Sequence, residues 1–404
     1  MSDPAPILDG VRVVDMTQYL AGPTVTRLLA EAGADVVKIE QPPYGDPTRT
    51  LAVMNDGRSG YFVQQNHGKR SLCMDFDDPR GREVLDALIA RADVFVENYG
   101  PGVMERRGLD FARLHATHPR LIVATISGFG RDSAFSDKVA FDLIAQAYSG
   151  LLAMTGPVEG PPMPVGTSIA DVMSGVHTVA GIGLALYHRE RTGRGQHVDI
   201  SMVDSLFHAH EITVQGPPLT GMKWKPKRGG EKSALNSPQG VYRGPERWIA
   251  LHVMQGQWPA FCRAIERPDL EHHELFADLR GRHRNRHDLN ALIEAWMATV
   301  PTDAEVITRL EAQRVPCAPV LEPWEAIGHP YFESRRMVRR IRDPILGEVV
   351  IPGNPLRFSE HPGDLDQVAP LLGEHNAEVL TELGYSPDAI AGLVEAGVLR
   401  SGDR

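Results

Sequence analysis

The chain has 404 residues, 42% hydrophobic and 23% charged, the composition of an ordinary folded protein long enough for two domains. A net charge of −10 with a pI near 5.9 excludes the broad basic surface that nucleic acids and anionic membranes require, so neither is expected as a partner. Any anionic ligand must be met by a few local cations.

The first stretch, MSDPAPILDG, lacks the charged and apolar regions of a signal peptide, and no apolar run approaches the roughly 18 residues of a spanning helix, so a cytoplasmic location is expected. Residues 11–14 form a short buried-strand run, 23–31 read as a helix and 35–39 as a second strand, which together make a β-α-β unit. Helical and strand patterns then alternate: helix 81–92, strand 94–97, helix 111–118, strand 121–126. That alternation predicts an α/β, Rossmann-like region with a parallel sheet and helices on both faces. No G-x-G-x-x-G follows the first strand, so a nicotinamide cofactor is unsupported.

Small and loop-forming residues then run up to Ser168, after which Val172, Val176, Val179, Ala180, Gly183, Leu184 and Tyr187 recur at helical spacing. A helix is expected from about Asp171 to Gly193, with Arg189 and Arg191 in its last turn, followed by a strand at 197–202. Asp171 has two compatible readings. As an N-cap it would satisfy free N–H groups of the first turn; as a nucleophile it would be kept ionised by the positive helix end and reached from a Gly/Pro-rich loop.

After Ser205 the character changes. Pro217-Pro218, the basic run from Lys223 to Arg228 and Gly229-Gly230 read as a solvated linker. A mixed region follows, with a strand at 248–253 and helices at 258–266, 289–298 and 303–313, and the chain ends with a strand at 349–351 and a helix at 377–383. Cys73, Cys262 and Cys317 are far apart and form no CxxC pair, so neither a disulfide framework nor a zinc site is expected.

Several stretches together carry a resemblance. The run with Gly166, Asp171 and Gly175, then RTGRGQHVDIS, resembles the signature of the class III CoA-transferases, the CaiB/BaiF family. So do LDGVRVVDMT, AGP at Ala21 to Pro23, GADVVKIE, NHGKRS, VENYGPG and VPCAPV. The resemblance implies a large Rossmann-like domain plus a smaller α+β domain, with 1–205 the N-terminal part of the large domain, 206–240 a linker, 241–324 the small domain and 325–404 the return to the large one. It also implies an interlocked homodimer.

The implied activity is transfer of CoA from an acyl-CoA donor to a free carboxylic acid through aspartyl anhydride and aspartyl-CoA thioester intermediates on Asp171. Coenzyme A is then a substrate, and no cofactor or metal is expected. The resemblance places Lys69, Arg106 and Lys138 at the CoA phosphates, Asn98 and Tyr99 beside the pantetheine arm, Leu20 and Ala21 in the loop facing the site, and Phe141 and Asp142 beside Asp171. Backbone N–H groups of Val172 and Met173 are expected to meet the oxyanions. Asp15 reads as a cap of local backbone, and His67 and His118 as loop or surface residues.

Formate-handling relatives carry a glutamine where this chain has Leu20, and a glycine run where it has Ser233 to Gly240, so an acyl group larger than formyl or oxalyl is expected. Two other readings stay open, a 2-methylacyl-CoA racemase and a non-catalytic acyl-CoA binding protein. The racemase branch carries a histidine at the position of Phe141.

Overall fold

The computed structural model describes residues 5–361 and 367–402. The described chain divides into two compact units: 1–149 with 167–209 and 327–404, and 150–166 with 210–326. The sequence reading kept 1–205 together, whereas residues 150–166 pack with the second unit. Their Gly/Pro-rich composition gave no periodic pattern from which to assign them.

The first unit is built on β1 (Arg12–Met16), β2 (Asp35–Glu40), β3 (Arg70–Cys73), β4 (Val94–Glu97), β5 (Ile122–Ser127) and β6 (His197–Ser201). All pairings are parallel, in the order β3-β2-β1-β4-β5-β6. The strands are short and apolar because both faces are covered, as the near-continuous runs VRVV, DVVKI and VFV anticipate. The principal helices are α1 (Ala21–Glu31), α2 (Gly60–Asn66), α3 (Pro79–Ile89), α4 (Phe111–Thr117), α5 (Asp142–Tyr148), α6 (Ile169–Thr192) and α7 (Met202–Phe207).

One core holds Val14, Met16, Val37, Ile39, Leu72 and Phe95 of the sheet against Val84, Leu85 and Leu88 of α3 and Val379 and Leu380 near the C-terminus. Each such side chain gains about 1.5–3 kcal/mol from full burial. Glycines set two close contacts near β1. A Cβ on Gly22 would lie 2.4 Å from Thr17 Cβ, and one on Gly175 would lie 2.9 Å from Thr24 Cγ2 and 3.1 Å from Ala21 O. The second contact lets α6 lie directly on α1.

Helix α6, 24 residues with a mean hydropathy of 1.5 over its most apolar window, is long and apolar enough by those measures to cross a membrane, against the sequence expectation. Here it packs on α1 and on β5 and β6. It begins two residues earlier than Asp171, with Ser168 in the N-cap position and Gly193 closing it at φ 75.

The second unit holds an antiparallel sheet of β7 (Gln239–Arg243), β8 (Trp248–His252) and β9 (Cys317–Pro319) in the order β9-β8-β7. Tyr242, Ile249 and Leu251 pack on Trp258, Phe261, Leu289, Ile293, Val306 and Leu310. After Ile327 the first unit adds the hairpin β10 (Val338–Asp343) and β11 (Gly347–Pro352), then the helices Asn376–Leu383 and Pro387–Glu395.

Candidate active site

The strand order reverses between β1 and β4, and in an open parallel sheet the carboxyl ends of two such strands leave a crevice where ligands bind. Here the two loops are tied together. Gln18 N–H donates to Asn98 Oδ1 at 2.9 Å and Asn98 Nδ2 donates to Gln18 O at 2.9 Å. Tyr99 N–H donates to Glu97 Oε2 at 2.8 Å, while Arg131 bonds both Glu97 Oε1 at 2.9 Å and Tyr99 O at 2.8 Å. Asn98 and Tyr99 are therefore fixed, half-buried, at the mouth of the sheet.

Asp171 is the third residue of α6 and is not its cap. Ala170 N–H is instead satisfied from another helix, by Asp142 Oδ1 at 2.7 Å, and Gln146 Nε2 bonds the other Asp142 oxygen at 2.6 Å. Among the described residues none donates a hydrogen bond to the Asp171 carboxylate, although it is half-buried. Its oxygens keep contact with solvent, so the carboxylate is open to a ligand.

Burial, and then the charge of Asp142, push the Asp171 carboxyl up to about 7. Against the expectation that the helix end keeps it ionised, desolvation and a like charge hold the carboxyl above its ordinary range. A carboxylate of raised pKa is a stronger base and nucleophile in its ionised form, and near neutrality a large share of it is ionised.

The remaining predicted residues divide. Phe141 is 66% exposed and meets the Tyr19 ring edge-on at 6.2 Å, which brings the β1–α1 loop to the start of α5. Leu20, half-buried, precedes α1 in that same loop. Ala21 is 3% exposed and held in the α1–α6 contact, so its methyl group does not face a ligand. Arg106 is exposed and makes no ion pair among the described residues. Lys138 Nζ lies 3.9 Å from the Phe135 ring centroid and donates to Tyr148 Oη at 3.2 Å, an exposed ammonium in an aromatic setting.

Lys69 is a correction. Its ammonium has no exposed surface, pairs with Asp15 Oδ2 at 3.0 Å and donates to Asn66 Oδ1 at 2.9 Å, so it is not offered to a phosphate. The sequence motif gave its neighbourhood but not its direction, because a lysine at the start of a buried strand looks the same either way. Asp15 also accepts the Thr17 N–H at 3.0 Å, the local cap expected of it. His67 is not a surface residue: it is buried with Nε2 2.7 Å from Glu31 Oε1. The Val172 N–H already donates to Ser168 O at 3.2 Å, and Met173 lies inside the helical ladder, so neither is free for an oxyanion.

Tyr61 was not singled out. It is half-buried on α2, and burial, then Asp171, then Asp46 push its hydroxyl up to about 12. A single tyrosine ahead of NHGKRS carries no pattern that would single it out.

Comparison with known proteins gives a consistent picture. Residues 8–376 match the family described as CoA-transferase family III. A formyl-CoA:oxalate CoA-transferase of Streptomyces avermitilis is 37% identical over 409 residues, covering 97% of this chain and 99% of that protein. A succinyl-CoA:mesaconate CoA-transferase of Haloarcula hispanica is 38% identical over 388 residues, covering 93% and 96%. The crystal structure of a CaiB/BaiF family protein from Brucella suis superposes with a TM-score of 0.83 at 31% identity, covering 94% of this chain and all of that one. With a half-buried, unpaired carboxylate at the head of α6 and an α/β fold shared along nearly the whole length, the chain belongs to CoA-transferase family III.

Proposed function

We propose that the enzyme moves CoA from an acyl-CoA donor to a free carboxylic acid with Asp171 as the covalent carrier. The observation that carries this is the Asp171 carboxylate itself: half-buried, without a hydrogen-bond donor among the described residues, and raised to about 7. Asp171 attacks the donor thioester carbonyl and the C–S bond breaks, giving a mixed anhydride and CoA thiolate. The thiolate attacks the aspartyl carbonyl and releases the donor acid, leaving aspartyl-CoA thioester. The acceptor carboxylate displaces the thiolate to form a second anhydride, and the thiolate then attacks its acceptor carbonyl, which frees Asp171 and the new acyl-CoA. Bonds made and broken are of similar energy, so the cycle needs no redox step.

Asn98, Tyr99, Arg106 and Lys138 are the residues assigned to CoA. Tyr61, Leu20 and Phe141 line the acyl side, and their apolar surface favours an acyl group larger than formyl or oxalyl. Both named relatives handle a dicarboxylic acid, and a dicarboxylate is therefore the first class of acceptor to test here. The working form is a homodimer in the cytoplasm. Supporting the dimer, Leu184 and Tyr187 of α6 are 71% and 63% exposed in the single chain, an apolar stripe that a second copy would cover.

The test is exchange of labelled CoA between acyl-CoA donors and a panel of mono- and dicarboxylic acids, with light scattering for the oligomer. Trapping an Asp171-linked acyl or CoA species with hydroxylamine or borohydride supports the covalent route. Full turnover with no trappable species and an active Asp171→Ala variant would refute it.

A further inference from the structure

The loop between β1 and α1 carries a non-glycine residue with positive φ at the mouth of the crevice. Tyr19 has φ 63, a conformation that L side chains hold only when their surroundings impose it. The imposing groups lie beneath it. Lys38 Nζ, on β2 and without exposed side-chain surface, donates to Thr17 O at 2.8 Å and pairs with Asp46 Oδ2 at 2.9 Å. Asp46 Oδ1 receives the Tyr19 N–H at 3.4 Å and the Thr48 N–H at 2.9 Å. One buried ion pair thus grips the backbone on both sides of Gln18, whose main chain also holds Asn98.

The pair reaches the rest of the site as well. After burial and Asp171, Asp46 also raises the Tyr61 hydroxyl. Burial opposes the charge on Lys38, but Asp46, Asp15 and Glu40 outweigh it and hold the ammonium protonated. A buried ion pair is a poor source of stability, because apolar residues of the same volume do as well or better. The loop it ties gives it another reason to be there.

We propose that Lys38 is a positioning residue for CoA transfer: through Thr17 O and Asp46 it fixes the Gln18–Leu20 loop as a rigid wall against the acyl group on Asp171. This rests on the Asp171 reading above. Lys38 touches no substrate. Asn98 and Tyr99 keep anchors of their own in Gln18, Glu97 and Arg131, so loss of Lys38 changes CoA affinity little and slows the acyl-transfer steps, which depend on alignment of the reacting atoms.

The test is the double variant Lys38→Met/Asp46→Asn, which removes both charges together and leaves neither buried alone. The matched control is Arg58→Met/Asp343→Asn, an equally buried pair at 2.8 Å that does not touch the loop. Expected for Lys38→Met/Asp46→Asn are a fall in kcat of at least tenfold at saturating acyl-CoA and a calorimetric Kd for CoA within about twofold of the parent. The control keeps kcat within about twofold at a comparable change in Tm. If the double variant does not fold, Asp46→Asn alone is read in the same way. Lys38→Arg, which retains the charge, should recover part of the lost kcat. Unchanged kcat in the folded variants, or an equal loss in the control, overturns the proposal. A parent enzyme with no CoA exchange at all would instead overturn the transferase reading.

Discussion

Asp142 Oδ1 accepts the Ala170 N–H at 2.7 Å, so the carboxylate that caps α6 is also the like charge that acts on Asp171, one residue further on. Capping and tuning are one contact. The helix end is satisfied from outside, which leaves the Asp171 side chain unpaired, and the same contact places a negative charge beside it.

A shift in the pH profile follows. In the proposed cycle the nucleophile is ionised Asp171, so kcat/KM should rise with pH and level off above about 7. Asp142→Asn keeps an acceptor for Ala170 N–H but removes the charge, and the rising limb should move to lower pH. A limb that stays in place in the Asn variant would show that Asp142 does not tune Asp171.

The same shift has a sign in stability. Asp171 is raised from an ordinary 3.8 to about 7, so the folded state favours its protonated form. The stability this gives is fully present below about 3.8 and is lost as pH rises through 7. Asp171→Asn, permanently neutral, should therefore change Tm little at pH 4 and raise it at pH 8. Thermal melts at both values check this, and a gain confined to acid pH would be the wrong sign.

Asp171→Ala should abolish CoA exchange while leaving the fold intact. The residue caps nothing, and loss of an acid from a first helical turn costs only about 0.3–1 kcal/mol. Circular dichroism and CoA exchange, measured together, decide it.

Arg106 and Lys69 should part company although they sit in similar motifs. Arg106→Ala should weaken CoA binding by about 1.5–3 kcal/mol, the scale of a charge-assisted hydrogen bond, in a salt-dependent way. Lys69→Ala takes the paired ammonium from buried Asp15, leaving only Lys38 nearby, and should cost up to about 3–5 kcal/mol of folding stability. Calorimetry and denaturant melts on both variants separate the two roles.

Racemisation should be absent or slow. A two-base mechanism needs an acid/base where this chain has Phe141, and loss of such a group costs about 10²–10⁴ in rate. The α-proton of a 2-methylacyl-CoA should therefore not exchange in D₂O at a rate comparable with CoA transfer. Fast deuteration without an acceptor acid would favour the racemase.

The period of the apolar residues determined the alternating strands and helices of the first unit, because strands buried on both faces and helices laid across them leave plain runs in a sequence. Motifs around Asp171, Asn98 and Arg106 marked the candidate residues, since a backbone turn or a helix start is a local matter. Tertiary structure decided what depends on direction and on distant partners. Lys69 turned inward because Asp15 lies on the next but one strand of the sheet. Asp171 has no capping role because Asp142, from another helix, takes it. Burial and charge are sums over neighbours that are far apart in sequence, so the pKa of Asp171 and the grip of Lys38 on the Tyr19 loop were fixed only when the chain was folded.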